Sequence, residues 1–322
     1  MPAAGEDCAA VYDPVGRRMV LFGGKDDTNH NLDEVWTLDL ERFEWQRIDI
    51  QGPKPPPSED HTLIYDPVGR RMILFGGENG LTTGKTWSFD LQTYRWRDLT
   101  DSTGPVREDH IAIYDSRRKR MVVWGGRENT GTIDYVNVSE LFALDLDPAS
   151  PTFEKWIHIP IGKEHAPGRS DHAAMYDAHR DRMVVYGGWD KAAKQYLDDT
   201  WTLTFAAPPD SGGEWKKVKA KLSHPPRRRH VVGVHDEAHD WFVICGGFGD
   251  EGFLNDVWAF DLARDVWINI TPGPQPRLDQ LAIYDPGHQK LLLYGGDAHW
   301  ARKFHDLWEL RVRPEVSADS LR

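Results

Sequence analysis

The 322-residue chain carries 51 Asp and Glu against 39 Lys and Arg, a formal charge of −12. That balance argues against a duplex nucleic-acid or anionic-membrane partner, because phosphate contacts need a basic surface that releases counterions. Fourteen Trp, twelve Phe and ten Tyr beside 29 Gly and 21 Pro suit many short strands joined by turns. Apolar runs such as Met121 to Trp124 are far shorter than the roughly twenty residues a membrane-spanning helix needs.

The opening residues, MPAAGEDCAAVYD, lack the basic and apolar regions of a secretory signal. Cys8 and Cys245 cannot build a disulfide framework, and the expected location is cytoplasmic. From here one pattern recurs. A run ending at Asp13 is followed by a turn, a second run RMVLF, and the pair Gly23-Gly24. The pair returns at Gly76-Gly77, Gly125-Gly126, Gly187-Gly188, Gly246-Gly247 and Gly295-Gly296, a repeat of about fifty residues. Each pair follows two strand-like runs, the first closing on Asp13, Asp66, Asp115, Asp177, Asp236 or Asp285. A third strand is centred on Trp36, Trp87, Phe142, Trp201, Trp258 and Trp308, and a fourth on Trp45, Trp96, Trp156, Trp215 and Trp267.

Six units of four strands require a radially repeated sheet, since one such sheet cannot bury both faces alone. The six in-phase copies of an apolar run before paired glycines, with a downstream aromatic and then a Trp, resemble kelch repeats. The resemblance covers essentially the whole chain. It implies an all-β, six-bladed propeller in a single domain, with blades approximately at 5–50, 51–103, 104–161, 162–222, 223–272 and 273–322. The sixth unit has no fourth-strand Trp, so residues 315–321 are expected to form a weak outer strand or none. The ends are expected not to exchange strands, the ring closing by packing of blade 6 on blade 1.

Propeller topology puts the start of each first strand and the loop between second and third strands on one face. The starts read Glu6-Asp7-Cys8, Glu59-Asp60-His61, Glu108-Asp109-His110, Ser170-Asp171-His172, Arg228-Arg229-His230 and Leu278-Asp279-Gln280. An Arg three residues before the His, as at Arg107, Arg169 and Arg227, resembles the ordinary bacterial consensus, which implies that these His and Asp residues bridge neighbouring blades. The acidic Glu6, Glu59 and Glu108 opposite the basic blade 5 are not explained that way. Such polarity would orient a dipolar or zwitterionic ligand.

Candidate binding residues are therefore Glu59, His61, Glu108, His110, Asp171, His172, Arg228 and His230, with Tyr135, Trp189, His299 and Trp300 from the overhanging loops. The six Asp after the first strands begin turns and belong on the opposite face as structural residues. Gly247-Phe-Gly249-Asp-Glu-Gly252 matches a dinucleotide fingerprint, but a strand follows it where that motif needs a helix. The His set could converge on an axial metal; no local zinc spacing supports one, and no cofactor is expected. Cys245 replaces a large aromatic, a gap expected to be filled by Trp241 or Phe248.

Sialic-acid epimerases are similar six-bladed kelch proteins, which implies that this architecture can host acid–base chemistry. Here such a pair would combine Glu59 or Glu108 with His61, His110 or His172. The leading reading is a monomeric binding or protein-interaction module working through the channel mouth, its target a partner protein or a small polar or zwitterionic ligand. The alternative is a small-molecule enzyme of lyase, isomerase or cyclase type, metal-assisted or not, using the Glu/His ring.

Overall fold

A computed structural model describes residues 1–3, 5–128, 135–206, 212–219, 223–298 and 302–311. Among these, every regular element is a strand, and no helix is long and apolar enough to cross a membrane. The first unit folds as Ala9–Asp13, Arg18–Phe22, Val35–Asp39 and Glu44–Ile48, a four-stranded antiparallel meander. Its register pairs Ala9 with Phe22 and Asp13 with Arg18. The next four units repeat the meander, with innermost strands Glu59–Asp66, Ile111–Asp115, Ala173–Asp177 and Val232–Asp236. The sixth unit pairs Leu281–Asp285, Lys290–Tyr294 and Leu307–Leu310. The expected weak strand at 315–321 lies outside the described residues.

Each innermost strand contacts the next, and the last contacts the first, so the six sheets form a closed ring. This is the six-bladed propeller that the repeat predicted. The second strands are nearly all buried because neighbouring blades cover both their faces; Met19, Val20, Leu21 and Phe22 have no exposure. Repetition thereby gives each small sheet the apolar burial it cannot supply alone.

The paired glycines make the seams. The second glycine of each pair donates its N–H to a carbonyl at the start of the next blade: Gly24 to Ser58, Gly77 to Arg107, Gly126 to Arg169, Gly188 to Arg228 and Gly247 to Arg277, at 2.8–2.9 Å. Gly76 shows why no side chain fits, since a Cβ there would stand 2.5 Å from the Arg107 carbonyl at φ +71°. Closure uses the same device: Gly296 donates to the Gly5 carbonyl. Lys303 pairs with Glu6 at 2.9 Å across the same junction, and Leu281, Ile283 and Leu292 pack with Met19 and Leu21. Blade 1 contains its own four strands, and no exchange of strands between the ends occurs among the described residues.

Five of the six seams also hold an aromatic pair: Phe22–Trp96, Phe75–Trp156, Trp124–Trp215, Tyr186–Trp267 and Tyr294–Trp45, at centroid distances of 4.6–5.1 Å. The first ring comes from one blade and the Trp from the outer strand of the next. Cys245 stands in this series where its partner would be an outer Trp of the sixth unit, and the sequence has no Trp after Trp308. The small thiol and the missing Trp are thus one change. Cys245 packs with Val257, Tyr284 and Leu293, and Trp241 joins that cluster. Phe248 does not; it turns to Tyr196 and Phe253.

Candidate functional site

The site is built on the six strand starts. The middle residue of each start adopts the left-handed conformation: Asp7, Asp60, Asp109, Asp171, His230 and Asp279, with φ between 52° and 56°. Five of the six are Asp, which tolerates this region better than most residues. Around part of the ring the backbones are linked, Asp109 N–H to Asp60 O, Asp171 N–H to Asp109 O and His230 N–H to Asp171 O, at 2.9–3.3 Å. The residue before each ring member bridges to the first residue after a glycine pair: Glu6 to Lys25, Glu108 to Arg127, Ser170 to Trp189, Arg229 to Phe248 and Leu278 to Asp297.

This geometry shifts the blade 5 alignment by one residue. The equivalent triplet is Arg229-His230-Val231, so His230 occupies an Asp position and Arg228, not Arg227, is the consensus arginine. The misleading signal was an Arg-x-x-His at 227–230 that overlies the true column of Arg107, Arg169, Arg228 and Arg277. The guanidinium of Arg228, 0% exposed, donates to the Gly246 carbonyl and pairs with Asp256 at 2.6 Å. Arg169 and Arg277 hold Gly187 O with Asp199, and Gly295 O with Asp306, in the same way. Arg228 is a clamp inside blade 5 and does not face the channel.

The histidines at the third position enter the seams. His61 Nε2 meets the Phe22 carbonyl at 3.2 Å and its ring packs edge-on to Phe22. His110 bonds Thr62 Oγ1 at 2.8 Å and packs on Phe75. His172 packs on Trp124 at 5.0 Å, and both its ring nitrogens are buried without a partner among the described residues. Burial pushes His61 down to about 4 and His110 to about 3, so both are neutral near pH 7. They bridge blades and do not converge on an axial ion.

Inside the ring lies a cavity of about 280 Å³, lined by the six left-handed residues and the first turns of the innermost strands. Its electrostatics differ around the axis. His230 Nδ1 stands 2.7 Å from Asp279 and 3.5 Å from Asp171; burial opposes its charge, but these carboxylates raise it to about 9. Asp171 is held below its ordinary value although burial works against this, because His230, Arg127 and Arg229 outweigh it. Burial and then neighbouring carboxylates raise Asp7, Asp60 and Asp109. The blade 1 and 2 wall is therefore short of positive charge.

The first-position acids are partly neutralised. Glu59 pairs with Lys25, and Glu108 with Arg127 at 2.7 Å while accepting from Thr82 Oγ1. Oxygens of Glu6, Asp7 and Asp279, and of Asp7, Glu59 and Asp60, lie within 4.8 Å of one another. An all-carboxylate set of this kind suits a hard cation such as Ca²⁺ or Mg²⁺ better than zinc.

On blades 3 to 5 the mouth is aromatic. The loops between second and third strands rise as short hairpins, Arg127–Glu128 with Val136–Asn137, Trp189–Asp190 with Gln195–Tyr196, and Phe248–Gly249 with Gly252–Phe253. The last is the dinucleotide-like segment, here a β-turn excursion. Tyr135 receives Lys191 Nζ at 3.6 Å and the Arg127 guanidinium at 4.8 Å from its centroid. Trp189 packs on Tyr196, and Tyr196 on Phe248. His299 and Trp300 lie outside the described residues. The structure thus brings Asp171 with His230 and joins Trp189 to a larger aromatic set. The triplets put Asp7, Asp60, Asp109 and Asp279 at the channel mouth, but sequence reasoning read such Asp as blade bridges and left these four out of the candidate set; the structure lines the cavity with them.

Comparison with known proteins agrees with this architecture. The family model described as KLHDC2/KLHL20/DRC7 Kelch-repeats domain matches residues 1–148, 67–272 and 118–316. The chain belongs to the kelch-repeat family. Among curated kelch relatives, an F-box/kelch-repeat protein of Arabidopsis thaliana is 26% identical over 93% of this chain and 53% of its own length. Adagio-like protein 3 of Oryza sativa subsp. japonica is 27% identical over 88% of this chain and 36% of its own. This kelch chain therefore spans about half or less of those relatives. The solved structure of YjhT superposes with a TM-score of 0.75 at 15% identity, covering 97% of this chain and 96% of that one, a likeness of fold alone.

Proposed function

We propose that the chain is an interaction module that engages a partner protein through the face formed by the strand starts and the hairpins above them. The observation that supports this most is the half-buried set Tyr135, Trp189, Tyr196, Phe248 and Phe253 gathered on one sector of that face. Large aromatics on rigid hairpins are what interfaces use as anchors. On the opposite face many charges are paired with one another, as in Arg118 with Asp115 and Asp181. The F-box in the name of the Arabidopsis relative belongs to that protein; it is compatible with a propeller serving as the recognition part of a larger assembly.

The test is capture with the intact chain and two variants, Trp189→Ala/Tyr196→Ala at the mouth and Arg117→Ala on the opposite face. The expected result is a set of captured proteins lost with the first and kept with the second. Equal capture by both would end the reading. The alternative of a small polar ligand is favoured by the 280 Å³ cavity with its displaced Asp60 and His230 ionisation; retained turnover or binding of a small molecule in the aromatic double variant would support it.

A further inference from the structure

The reading of the mouth as a partner-binding face, on which this inference rests, leaves the partner's chemistry open. One charged side chain there is left without a direct polar contact among the described residues. Arg229 follows the clamp Arg228, yet among the described residues its side chain makes no hydrogen bond and no ion pair, and its Nε is buried without a partner. Its Cζ lies 5.6 Å from the Trp189 ring centroid and 5.8 Å from that of Tyr196. Its charge is felt by Asp171, but that carboxylate already faces His230 at 3.5 Å.

The other blades give the contrast. Where Arg229 stands, they place Glu6, Glu59 and Glu108, neutralised by Lys303, Lys25 and Arg127, or the uncharged Ser170 and Leu278. Arg229 is the one charge in that register with no counter-ion in contact among the described residues. A guanidinium set against two aromatic rings is held by both, and its fork matches a carboxylate in a bidentate pair. Arg beside Trp and Tyr is also the composition of interface hot spots. The opposite wall has the reverse sign: Asp7 lies close to both Glu6 with Asp279 and Glu59 with Asp60.

We infer that the mouth docks a partner segment of mixed charge, with an Asp or Glu side chain on Arg229 against Trp189 and Tyr196, and a Lys or Arg side chain over Asp7 and Asp60. Charge complementarity selects this occupant. A polyanion would set its further charges against the aspartates, and a purely basic segment would meet Arg229. The aromatic row continues from Tyr196 to Phe248 and Phe253, 6.0 Å and 5.2 Å between successive centroids, which gives a peptide apolar area that a free amino acid would leave uncovered.

The probes are synthetic peptides of about eight residues in four sets, mixed-charge with apolar residues between the charges, acidic, basic and neutral, titrated into the intact chain at low salt by calorimetry and Trp fluorescence. The mixed set should bind tightest and weaken with salt. Arg229→Ala and Arg229→Lys should each weaken it about tenfold or more, the second keeping the charge but losing the fork. Asp60→Asn should weaken it, and Arg227→Ala, an exposed neighbour 3.4 Å from Asp250, should not. Unchanged binding in folded Arg229→Ala, equal binding of the basic set, or no binding by any set would overturn the inference while leaving the capture result to judge the mouth. Peptide binding abolished only by Arg117→Ala on the opposite face would overturn both.

Discussion

The two faces of the ring are made from the same six repeats and behave differently. On the lower face the copies agree: each turn Asp accepts backbone N–H groups two or three residues on, as Asp66 does from Val68 and Gly69, and also holds an Arg or His. Asp66, Asp115 and Asp177 are 0% exposed. On the upper face the copies diverge, and the same residue type stands in a channel wall where burial and neighbouring carboxylates raise the pKa of Asp7, Asp60 and Asp109. An Asp with all its acceptors filled stabilises; one facing other carboxylates does not. The lower face is framework, and whatever the upper face does comes at some cost to stability.

The sharpest test of that contrast is the adjacent pair Arg228 and Arg229. Arg228→Ala leaves Asp256 in its place without the cation and should lose about 3–5 kcal/mol in denaturant unfolding. Arg229→Ala should change stability by less than about 1 kcal/mol. Equal losses would break the distinction between clamp and mouth. Next, Asp115→Ala should cost about 1–3 kcal/mol, because it leaves the turn N–H groups of Arg117 and Arg118 without their acceptor and removes the Asp115 bond to Arg120 Nε.

The pH dependence separates the seams from the channel. His61 and His110 have depressed values, so the unfolded chain binds more protons below the ordinary 6.5; their contribution is full above that pH and is lost as pH falls toward about 4 and 3. The stability difference between the parent and His110→Gln should therefore shrink by about 1–2 kcal/mol from pH 7 to pH 5. His230 runs the other way: its contribution is full below 6.5 and is lost as pH rises to about 9. The difference between the parent and His230→Asn should shrink between pH 7 and pH 9.

The smallest effect compares one substitution on both faces. Asp60→Asn removes a charge whose folded value is raised and keeps a residue that tolerates φ 53°. It should raise Tm by about 2–4 °C at pH 8, the gain shrinking as pH falls toward 3.8. Asp66→Asn, at the framework position, should lower Tm at pH 8. A loss at both sites would mean that the channel aspartates are framework too.

The fold was legible because its determinants are local and repeated. Glycine pairs mark the seams, the turn aspartates fix the hairpins, and the outer tryptophans supply the seam aromatics. Even the two irregularities, Cys245 and the missing sixth Trp, were visible; the seam pairs of the other blades supply the reason to connect them. The site was half legible. The sequence placed Asp171, His230 and Trp189 on the face of the strand starts and pointed to a charge asymmetry there. It could not decide that His61, His110 and His172 turn into the seams, because a histidine's direction is set by the neighbouring blade's carbonyl and ring. Nor could it separate Arg228 from Arg229, since two adjacent arginines read alike until strand register gives one to Asp256 and leaves the other against Trp189 and Tyr196. Local pattern determined the ring and its faces; contacts between residues far apart in sequence determined which charges are spent inside the fold and which face outward.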